Sequence, residues 1–552
     1  MKKEKQKPLR ALWLLMKAER QEIRSIYIYA IFQGLVGLSL PLGIQAIINF
    51  IQAGQLSTSW YVLAAFVLGG ILLAGYLQMK QLTVSETIEQ RIFANTTFEL
   101  ATRVPRFSAE AVSDRYPPEL LNRFFDVVTI QKGFSKLLID FSAAVIQVVF
   151  GLLILILYHQ YFLGLSVILI LVLYGIFRFT GPGGLKTSLE ESQYKYETAH
   201  WLQELSRNLS TFKLAGSTPL PLQRTDELTS KYLSARKRHF RILMVQFRAL
   251  VFFKFIVGAG LIVLGSLLVI NKQLNIGQFV AAEIIILLVM ASIEKLILNM
   301  STVYDVLTSL DKLNGIADIQ MDRGDGNELA ATRLQVEMLH VSYQFPDSKK
   351  PVLTDVSLKV NTGDCICISG PNGSGKTTLL RLLSGVYENY EGNIVVNGLS
   401  LKSLKLESYH AMIGENFTEH DIFKGSVAEN ISCGIPQISK EMIQDYSVKA
   451  GLSEFIANAP QGLDTILEPE GRNLPGSIRR KIILARCFAS RPAMYLIEDN
   501  LTGLNQKERM DFFHMIFVEC TQSSLVIVSN DPEIAERCSI NYYLNEGKLT
   551  RL

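Results

Sequence analysis

The pattern of hydrophobic positions divides the chain into two parts. Long apolar stretches dominate residues 25–310, whereas residues 333–552 alternate short apolar runs with polar segments, as soluble α/β domains do. A helix needs roughly 20 mainly apolar residues to cross a bilayer. Six stretches meet that requirement: 25–51, 60–79, 137–158, 161–180, 248–270 and 276–300. Six such stretches in one part of a chain predict a six-helix transmembrane domain.

The charges between these stretches predict how the chain is oriented. The three short connections carry a single cation, Lys272, whereas the two long connections, 80–136 and 181–247, are rich in Lys and Arg. Cytosolic loops carry the excess of positive charge in membrane proteins. We therefore expect a multi-pass protein of the inner (cytoplasmic) membrane, with both termini and the C-terminal domain in the cytosol.

The long connections are helical in pattern, as in residues 190–216, which contain few helix breakers. The membrane helices are therefore predicted to extend well into the cytosol, with short transverse helices near 107–116 and 203–212. Residues 1–24, with eight Lys or Arg, are predicted to form a cytosolic lead-in helix, and 311–332 a linker between the two domains.

A few charged residues fall within or beside the predicted spans: Asp140, Lys254, Glu283, Glu294 and Lys295. Charge inside a membrane is costly and commonly marks a functional position. Asp140 and Lys295 lie near span ends, where the side chain can reach the interface. Glu283 is the best candidate to face a polar cavity.

One segment of the C-terminal domain carries the pattern G-x-x-x-x-G-K-T, which is typical of phosphate-binding loops. An apolar run at 365–369 precedes it and a Leu-rich helical pattern at 377–385 follows it, which is the strand–loop–helix context that the motif requires. Glycines allow backbone N–H groups to turn towards phosphate oxygens, and the helix N-terminus favours anions. The residues predicted to bind ATP here are Gly370, Pro371, Asn372, Gly373, Ser374, Gly375, Lys376, Thr377 and Thr378. Lys376 would reach the β and γ phosphates, and the Thr377 hydroxyl would ligate Mg²⁺.

Composition narrows the remaining function classes. The net charge is only +4, so no nucleic-acid partner is expected. All six cysteines lie in the C-terminal part without metal-ligand spacing, which indicates reduced thiols of a cytosolic domain.

Six spans with long cytosolic extensions, followed by a phosphate-loop domain, resemble one half of an ATP-binding-cassette exporter. The resemblance covers nearly the whole chain, including 275–286 at the entry to the sixth helix and 341–360 at the start of the nucleotide-binding domain. In that family an aromatic residue stacks on adenine, and Phe345 occupies its place. The overall look is most similar to bacterial peptide and protein exporters of the type I secretion class; lipid and drug exporters share the architecture.

The resemblance also locates the family's signature motif, Leu-Ser-Gly-Gly-Gln, and shows that it is altered. The motif falls on Leu474, Pro475, Gly476, Ser477 and Ile478. In the family, its Ser hydroxyl and Gly backbone grip the γ-phosphate held by the opposite subunit. Pro475 lacks both the hydroxyl and an N–H group.

The family's catalytic positions are altered as well. The family ends its Walker B strand with an Asp that contacts Mg²⁺ and a Glu that acts as general base; here the order is reversed, Glu498 then Asp499. Each carboxylate moves by roughly one C–C bond, about 1.5 Å, and a misplacement of about 1 Å can cost on the order of 10²-fold in rate. Asn530 replaces the switch histidine, and Asn505 replaces an interfacial Asp.

The glutamine that connects the metal site with the membrane domain in the family falls on Thr418. A small gap in the alignment would place Asn416 there instead.

Family members work as dimers in which each ATP lies between the phosphate loop of one subunit and the signature of the other. Whether this chain forms a homodimer or a heterodimer with a second half-transporter, no fully standard site can form. We therefore expect a subunit that binds ATP and Mg²⁺ and hydrolyses ATP slowly. A periplasmic adaptor and membrane lipid are possible partners. The alternative is a non-transporting, ATP-binding regulator or channel-like member of the same fold.

Overall fold

The computed structural model describes residues 8–52, 58–113, 117–346, 348–417, 422–499, 506–520 and 523–552. The chain forms two compact units. Unit 1 comprises Met1–Pro105 and Arg115–Ile319, and unit 2 comprises Arg106–Asp114 and Gln320–Leu552. A short segment from the first long connection thus belongs to the same unit as the C-terminal domain.

Unit 1 is helical. In the described ranges its α-helices are α1 (Pro8–Ala18), α2 (Arg20–Gly37), α3 (Ser39–Gln52), α4 (Thr58–Arg103), α5 (Pro117–Asn122), α6 (Asp126–Tyr158), α7 (Tyr161–Arg207), α8 (Leu209–Leu214), α9 (Leu220–Ile270), α10 (Ile276–Leu298) and α11 (Met300–Ala317). Within those ranges, six helical segments are long and apolar enough to cross a membrane. They coincide with the six predicted spans and confirm a six-span architecture.

Three of these helices are far longer than a bilayer requires. Helix α9 has 51 residues, which corresponds to about 75 Å at 1.5 Å per residue, against a hydrocarbon core of about 30 Å. Beyond the apolar part, α7 and α9 are linked by polar contacts, including ion pairs from Arg236 to Glu191 (2.9 Å) and from Arg238 to Glu190 (3.0 Å). The long connections are therefore helical, as the pattern predicted.

The two predicted transverse helices have different outcomes. Near 203–212, helix α7 continues to Arg207 and the separate short helix is α8, a few residues later than predicted. Over 107–113 the prediction of a helix is wrong, and residues 114–116 lie outside the described ranges. The Ser108 N–H donates to the Gln320 carbonyl (2.9 Å) and Phe107 forms a β-bridge with Met321, so the backbone is paired at 107–108, and residues 109–113 form turns.

Polar side chains meet across the apolar helices of unit 1. Lys254 on α9 forms an ion pair with Glu294 on α10 at 2.6 Å. The Asn299 amide donates to Asp140 (3.1 Å), so this carboxylate has a protein partner as well as its position near a span end. Glu283 is exposed on the surface of the single chain. Its facing a polar cavity stays a prediction.

Unit 2 is an α/β domain. Its described strands are β1 (Val336–Tyr343), β2 (Leu353–Val360), β3 (Cys365–Ser369), β4 (Glu391–Val396), β5 (Leu399–Ser400), β6 (Ile413–Asn416), β7 (Gly425–Ser426), β8 (Ile466–Leu467), β9 (Met494–Glu498), β10 (Ser524–Val528), β11 (Ile540–Asn545) and β12 (Lys548–Arg551). The larger sheet has the order β12-β11-β3-β10-β9-β6, and all its neighbouring pairs except β12–β11 are parallel. An antiparallel sheet, β2-β1-β4-β5, and the hairpin β7-β8 accompany it.

The described helices of unit 2 are α12 (Lys376–Leu383), α13 (Leu406–His410), α14 (Val427–Ser432), α15 (Lys440–Lys449), α16 (Ser453–Asn458), α17 (Gly476–Ala489), α18 (Gln506–Glu519) and α19 (Pro532–Arg537). Every residue of β9 and β10 is buried, which explains why these strands are almost continuously apolar. Two hydrophobic clusters form the core, one around β1, β2 and α12, the other around α14, α15, α17 and α18. This sheet and its helices hold the phosphate-binding loop.

Three carboxylates lie close together where residues 106–113 join unit 2. Buried Glu110 accepts hydrogen bonds from the backbone N–H (3.2 Å) and side-chain amide of Asn389, and Glu388 pairs with Arg323 at 2.9 Å. Burial, and then the charges of Glu388 and Glu110, raise the pKa of Asp322 to about 6. Asp322 is thus held in a setting that favours its protonated form.

We predict that Asp322→Asn flattens the dependence of stability on pH. Because the folded-state pKa of Asp322 lies above its ordinary value of 3.8, its contribution to the unfolding free energy is present below about pH 4 and is lost as pH rises through about 6. For a partly exposed group we expect about 1 kcal/mol, or roughly 2 °C in Tm. Calorimetry of the detergent-solubilised chain at pH 5 and pH 7 measures this. The exposed neighbour Asp325→Asn is the control, and equal pH dependence in D322N and wild type would contradict the prediction.

Candidate nucleotide-binding site

Parallel pairing brings the carboxyl ends of three strands to one edge of the larger sheet. Strand β3 ends at Ser369, β9 at Glu498 and β10 at Val528, and β10 lies between the other two. A cavity of about 340 Å³ opens at this edge. It is lined by Val352, Asn372, Gly373, Gly375, Lys376, Thr377, Thr378, Glu498, Asp499 and Val528. The structure thus brings most of the predicted phosphate loop together with both carboxylates of 498–499.

The loop conformation requires glycine at its first position. Gly370 has φ +149°, and a Cβ atom there would lie 2.1 Å from the backbone carbonyl oxygen of Leu544 on β11. Gly375, with φ +103°, begins helix α12 in the left-handed conformation. These glycines let the chain leave the buried strand β3 and turn abruptly into α12.

The loop is built to receive an anion. The Ser374 hydroxyl is buried in the loop and has no hydrogen-bond partner among the described residues. The Lys376 ammonium donates back to the carbonyls of Gly370 (2.7 Å) and Pro371 (2.8 Å). Burial lowers the pKa of Lys376, while the charge of Glu498 acts in the opposite direction. A phosphate group would satisfy both the hydroxyl and the desolvated cation.

Thr377 and Glu498 meet in the cavity, where the Thr377 hydroxyl donates a hydrogen bond to the Glu498 carboxylate. Glu498 is buried at the end of β9. A hydroxyl and a carboxylate beside a phosphate loop form the oxygen donor set that Mg²⁺ prefers. The residues present therefore fit the predicted metal ligands, Thr377 and Glu498.

Asp499 has partners that the sequence analysis did not identify. Its carboxylate accepts hydrogen bonds from Arg509 on α18 (2.9 Å) and from the Ser529 hydroxyl (2.6 Å). Arg509 also pairs with Asp531 at 2.8 Å. We call Asp499, Arg509, Ser529 and Asp531 the Asp499 network. In the sequence, the one hint of this contact was a basic residue, Arg509, ten positions after Asp499. Residues 500–505, between the two, are outside the described ranges.

Asn530, at the predicted switch position, contacts the phosphate loop directly. Its side-chain carbonyl accepts a hydrogen bond from the Gly370 N–H (2.8 Å). Asparagine can make this contact because its amide offers an acceptor as well as donors. The residue therefore lies beside the predicted nucleotide site and helps to hold the first residue of the loop.

Phe345, the predicted adenine-stacking residue, does not line the cavity. It is half-buried and packs edge-on against Tyr343 (ring centroids 5.1 Å apart) and Tyr387 (5.6 Å). These rings orient Phe345 while leaving part of its surface accessible. Its stacking role stays a prediction.

The altered signature begins a helix. Pro475 is the N-cap of α17, Gly476 to Ile478 form the first turn, and Leu474 packs on the second hydrophobic cluster. None of residues 474–478 lines the cavity at the phosphate loop. A role in completing a second subunit's site, as the resemblance implies, stays a prediction.

Two predicted positions lie outside the described residues, Thr418 and Asn505. The alternative to Thr418, Asn416, is buried at the end of β6, where it pairs in register with Ile497, the neighbour of Glu498. Asn416 therefore lies beside the strand that carries both carboxylates.

Comparisons with known proteins identify the family. The family model described as ABC transporter transmembrane region matches residues 25–293, and the model described as ABC transporter matches residues 353–502. Together they cover most of the chain, including the phosphate loop and the candidate spans up to residue 293. The chain belongs to the ABC transporter family. The region of this chain that matches the ABC transporter model contains the phosphate loop and both carboxylates of the cavity.

Relatives and a solved structure agree with this assignment. The colicin V secretion/processing ATP-binding protein CvaB of Escherichia coli is 23% identical over 90% of this chain and 72% of its own length. The uncharacterized ABC transporter ATP-binding protein YwjA of Bacillus subtilis is 30% identical, and the β-(1→2)glucan export ATP-binding/permease protein NdvA of Agrobacterium vitis is 28% identical; each alignment spans 44% of this chain and 42% of the relative. The structure of a bacterial Atm1-family ABC exporter with ATP bound shares the fold, with a TM-score of 0.86 at 18% identity over 96% of this chain and 94% of that chain.

We predict that Gly370→Ala weakens ATP binding about tenfold or more, because an L-residue at this φ costs about 1–3 kcal/mol and its Cβ would collide with the Leu544 carbonyl. Equilibrium titration with a fluorescent ATP analogue measures the affinity. Gly324→Ala, where a Cβ meets nothing within 4 Å, is the matched control and should bind within about twofold of wild type. An affinity of G370A within twofold of wild type would count against the geometry.

Proposed function

We propose that the chain is one half of an ABC exporter that moves a substrate out of the cytoplasm. It would work as a homodimer or as a heterodimer with a second half-transporter, in the inner membrane, with both termini and the ATP-binding domain in the cytosol. One observation carries the proposal: a chain with six candidate spans also holds a phosphate loop whose Thr377 touches the buried carboxylate of Glu498.

The substrate class that we favour is a peptide or protein, with lipids and drugs as the alternatives. The relative named for colicin V secretion aligns over 90% of the chain, whereas the relative named for glucan export aligns over 44%. Secretion across two membranes would also require a periplasmic adaptor, which belongs to this proposal.

Four polar groups in or beside the cavity would each have a distinct task in ATP binding. Lys376 would release the Gly370 and Pro371 carbonyls and bind the β and γ phosphates, and the Ser374 hydroxyl would gain its missing partner. Thr377 and Glu498 would hold Mg²⁺, which when bound neutralises charge on the phosphate oxygens. These contacts explain binding and do not by themselves produce hydrolysis.

We further propose that hydrolysis is slow, because neither carboxylate is available as the general base. Glu498 is engaged with Thr377, and Asp499 is held by Arg509 and Ser529. A general base must reach the attacking water and be free to accept its proton. These two hydrogen bonds, one of them from a cation, hold the Asp499 carboxylate in place and limit its reach to an attacking water.

The altered signature extends this argument to the dimer. Pro475 at the N-cap of α17 offers no hydroxyl and no N–H group to a γ-phosphate. In a heterodimer with a standard partner, the Asp499 network would impair one site and the signature the other. In a homodimer both sites would carry both changes.

We predict an ATP turnover of about 0.1 s⁻¹ or less, since a misplacement costing about 10²-fold would reduce the median enzyme turnover of about 10 s⁻¹ to this level. Phosphate release from the purified, reconstituted chain measures it. Lys376→Ala should lose ATP binding together with the residual turnover. A rapid turnover that K376A abolishes would refute slow hydrolysis while leaving the exporter assignment intact.

We predict that Arg509→Gln raises turnover about threefold or more at unchanged ATP affinity, because it frees Asp499, and a positioned base is worth typically 10²–10⁴-fold. Arg509→Lys, which keeps the charge but not the two-armed geometry, should give an intermediate rate. The exposed Arg472→Gln is the control. A turnover of R509Q at or below that of wild type would show that the Asp499 network does not limit hydrolysis.

Transport separates the exporter from a non-transporting regulator. Proteoliposomes with outward-facing ATP sites would be given a fluorescent peptide, a headgroup-labelled phospholipid or a rhodamine dye. ATP-dependent movement of one probe, lost in K376A, supports export and assigns the substrate class. ATP binding without movement of any probe favours the regulator.

A further inference from the structure

Three cysteine side chains lie close together at strand β3 of the larger sheet of unit 2. Cys365 begins β3, Cys367 follows on the same face of that strand, and Cys538 lies between α19 and β11. The Sγ atoms of Cys365 and Cys538 are 3.1 Å apart, although the two residues are separated by 173 positions. All six cysteines of the chain are free thiols.

The backbone around the Cys365–Cys538 pair is held on both sides. The Ser539 hydroxyl donates to the Cys365 carbonyl (2.9 Å) and accepts from the Cys365 N–H (3.3 Å). Strand β11 then pairs in register with β3 from Ile540 and Ile366 onwards. A disulfide requires an Sγ–Sγ distance of about 2.05 Å, so closing the pair needs a side-chain movement of about 1 Å and no change of strand register.

The two thiols differ in the way that disulfide chemistry requires. Cys365 is partly exposed, whereas Cys538 and Cys367 are buried. The contact with the Cys538 thiol lowers the pKa of Cys365, although burial acts against it. The contacts with Cys365, and then with Cys367, raise the pKa of Cys538. Cys365 is therefore the better nucleophile, and Cys538 the thiol placed to resolve its oxidised form.

We propose that Cys365 and Cys538 form a reversible disulfide when the protein meets a peroxide. This modification site is independent of the proposed transport function. In a reducing cytosol such a bond would be transient, as intracellular disulfides generally are.

The reaction with hydrogen peroxide balances in two steps. The Cys365 thiolate attacks one peroxide oxygen; an S–O bond forms, the O–O bond breaks, and the departing hydroxide takes a proton to become water. The Cys538 sulfur then attacks the sulfenic acid; the S–S bond forms, the S–O bond breaks, and the thiol proton leaves with the oxygen as a second water. Two thiols are oxidised and one peroxide is reduced, and an external dithiol reverses the change by exchange.

The cross-link lies away from the phosphate loop. Cys365 begins β3 and Gly370 follows its end, so five residues at about 3.3 Å each place them about 16 Å apart. We therefore expect oxidation to change ATP affinity by less than about twofold. The bond would tie the strand that leads into the loop to the end of α19, whose N-cap is Asp531 of the Asp499 network.

Non-reducing peptide mapping of the full chain in detergent tests the proposal. The protein is treated with hydrogen peroxide, free thiols are blocked with iodoacetamide, and trypsin then releases residues 360–376, which carry Cys365 and Cys367, and residues 538–548, which carry Cys538. We expect these peptides joined in oxidised wild type and separated again by dithiothreitol. Fragment ions of the linked wild-type peptides show whether Cys365 or Cys367 carries the cross-link. The result therefore does not depend on the folding of any variant.

Serine variants provide the controls. Cys365→Ser and Cys538→Ser should lose the cross-linked peptide by at least about tenfold. Cys433→Ser, which removes the exposed thiol after α14, and Cys520→Ser, which removes another buried one, should retain it. A cross-link that persists in C365S would overturn the assignment by identifying Cys367 as the partner. The proposal as a whole would be overturned if peroxide-treated wild type showed these cysteines only as unlinked, iodoacetamide-blocked thiols. It would also be overturned if they were found only as sulfinic and sulfonic acids.

Discussion

Parallel hydrogen bonding of β10 to β3 on one side and to β9 on the other is the interaction on which the rest of unit 2 depends. It sets the register in which Ser369, Glu498 and Val528 end their strands at one edge. Because the residues that follow parallel strands meet at the same edge, the phosphate loop, both carboxylates and Asn530 lie together although they span 160 positions of sequence. Every residue of β9 and β10 is buried, so a slip in register would force side chains into positions already filled by a packed core.

Much of this site could be predicted from sequence because its signals are local. The apolar runs before Gly370, Glu498 and Asn530 each predict a buried strand. The structure has strands at 365–369, 494–498 and 524–528. The contacts that determine chemistry are not local. Arg509 is one of many basic residues in the chain, and only the position of α18 near the end of β9 brings it to Asp499. Motif spacing therefore indicated which groups were altered, but not what those groups bind instead.

In the membrane part too, local features could be predicted from the sequence, whereas contacts between distant residues could not. Hydropathy identified the six spans because lipid imposes an apolar length that few other structures need. Hydropathy could not pair Lys254 with Glu294, or Asp140 with Asn299, since the partners are 40 and 159 positions apart in the sequence. The predicted helix over 107–113 was wrong for a related reason. Residues 106–108 pair with 320–322, over two hundred positions later, and residues 109–113 form turns. The distant pairing at the start of this segment outweighs the local preference for a helix.

The Asp499 network has a consequence for how this chain could change over time. Exchanging Glu498 and Asp499 would restore the family's order of carboxylates, but the longer glutamate would then face Arg509, Ser529 and the charge of Asp531. Substitutions at touching residues rarely combine additively. A descendant would therefore gain little from this exchange while Arg509 remains, and the exchange would have to arise together with the loss of Arg509. We expect Arg509 to make a return to the family's order of carboxylates difficult.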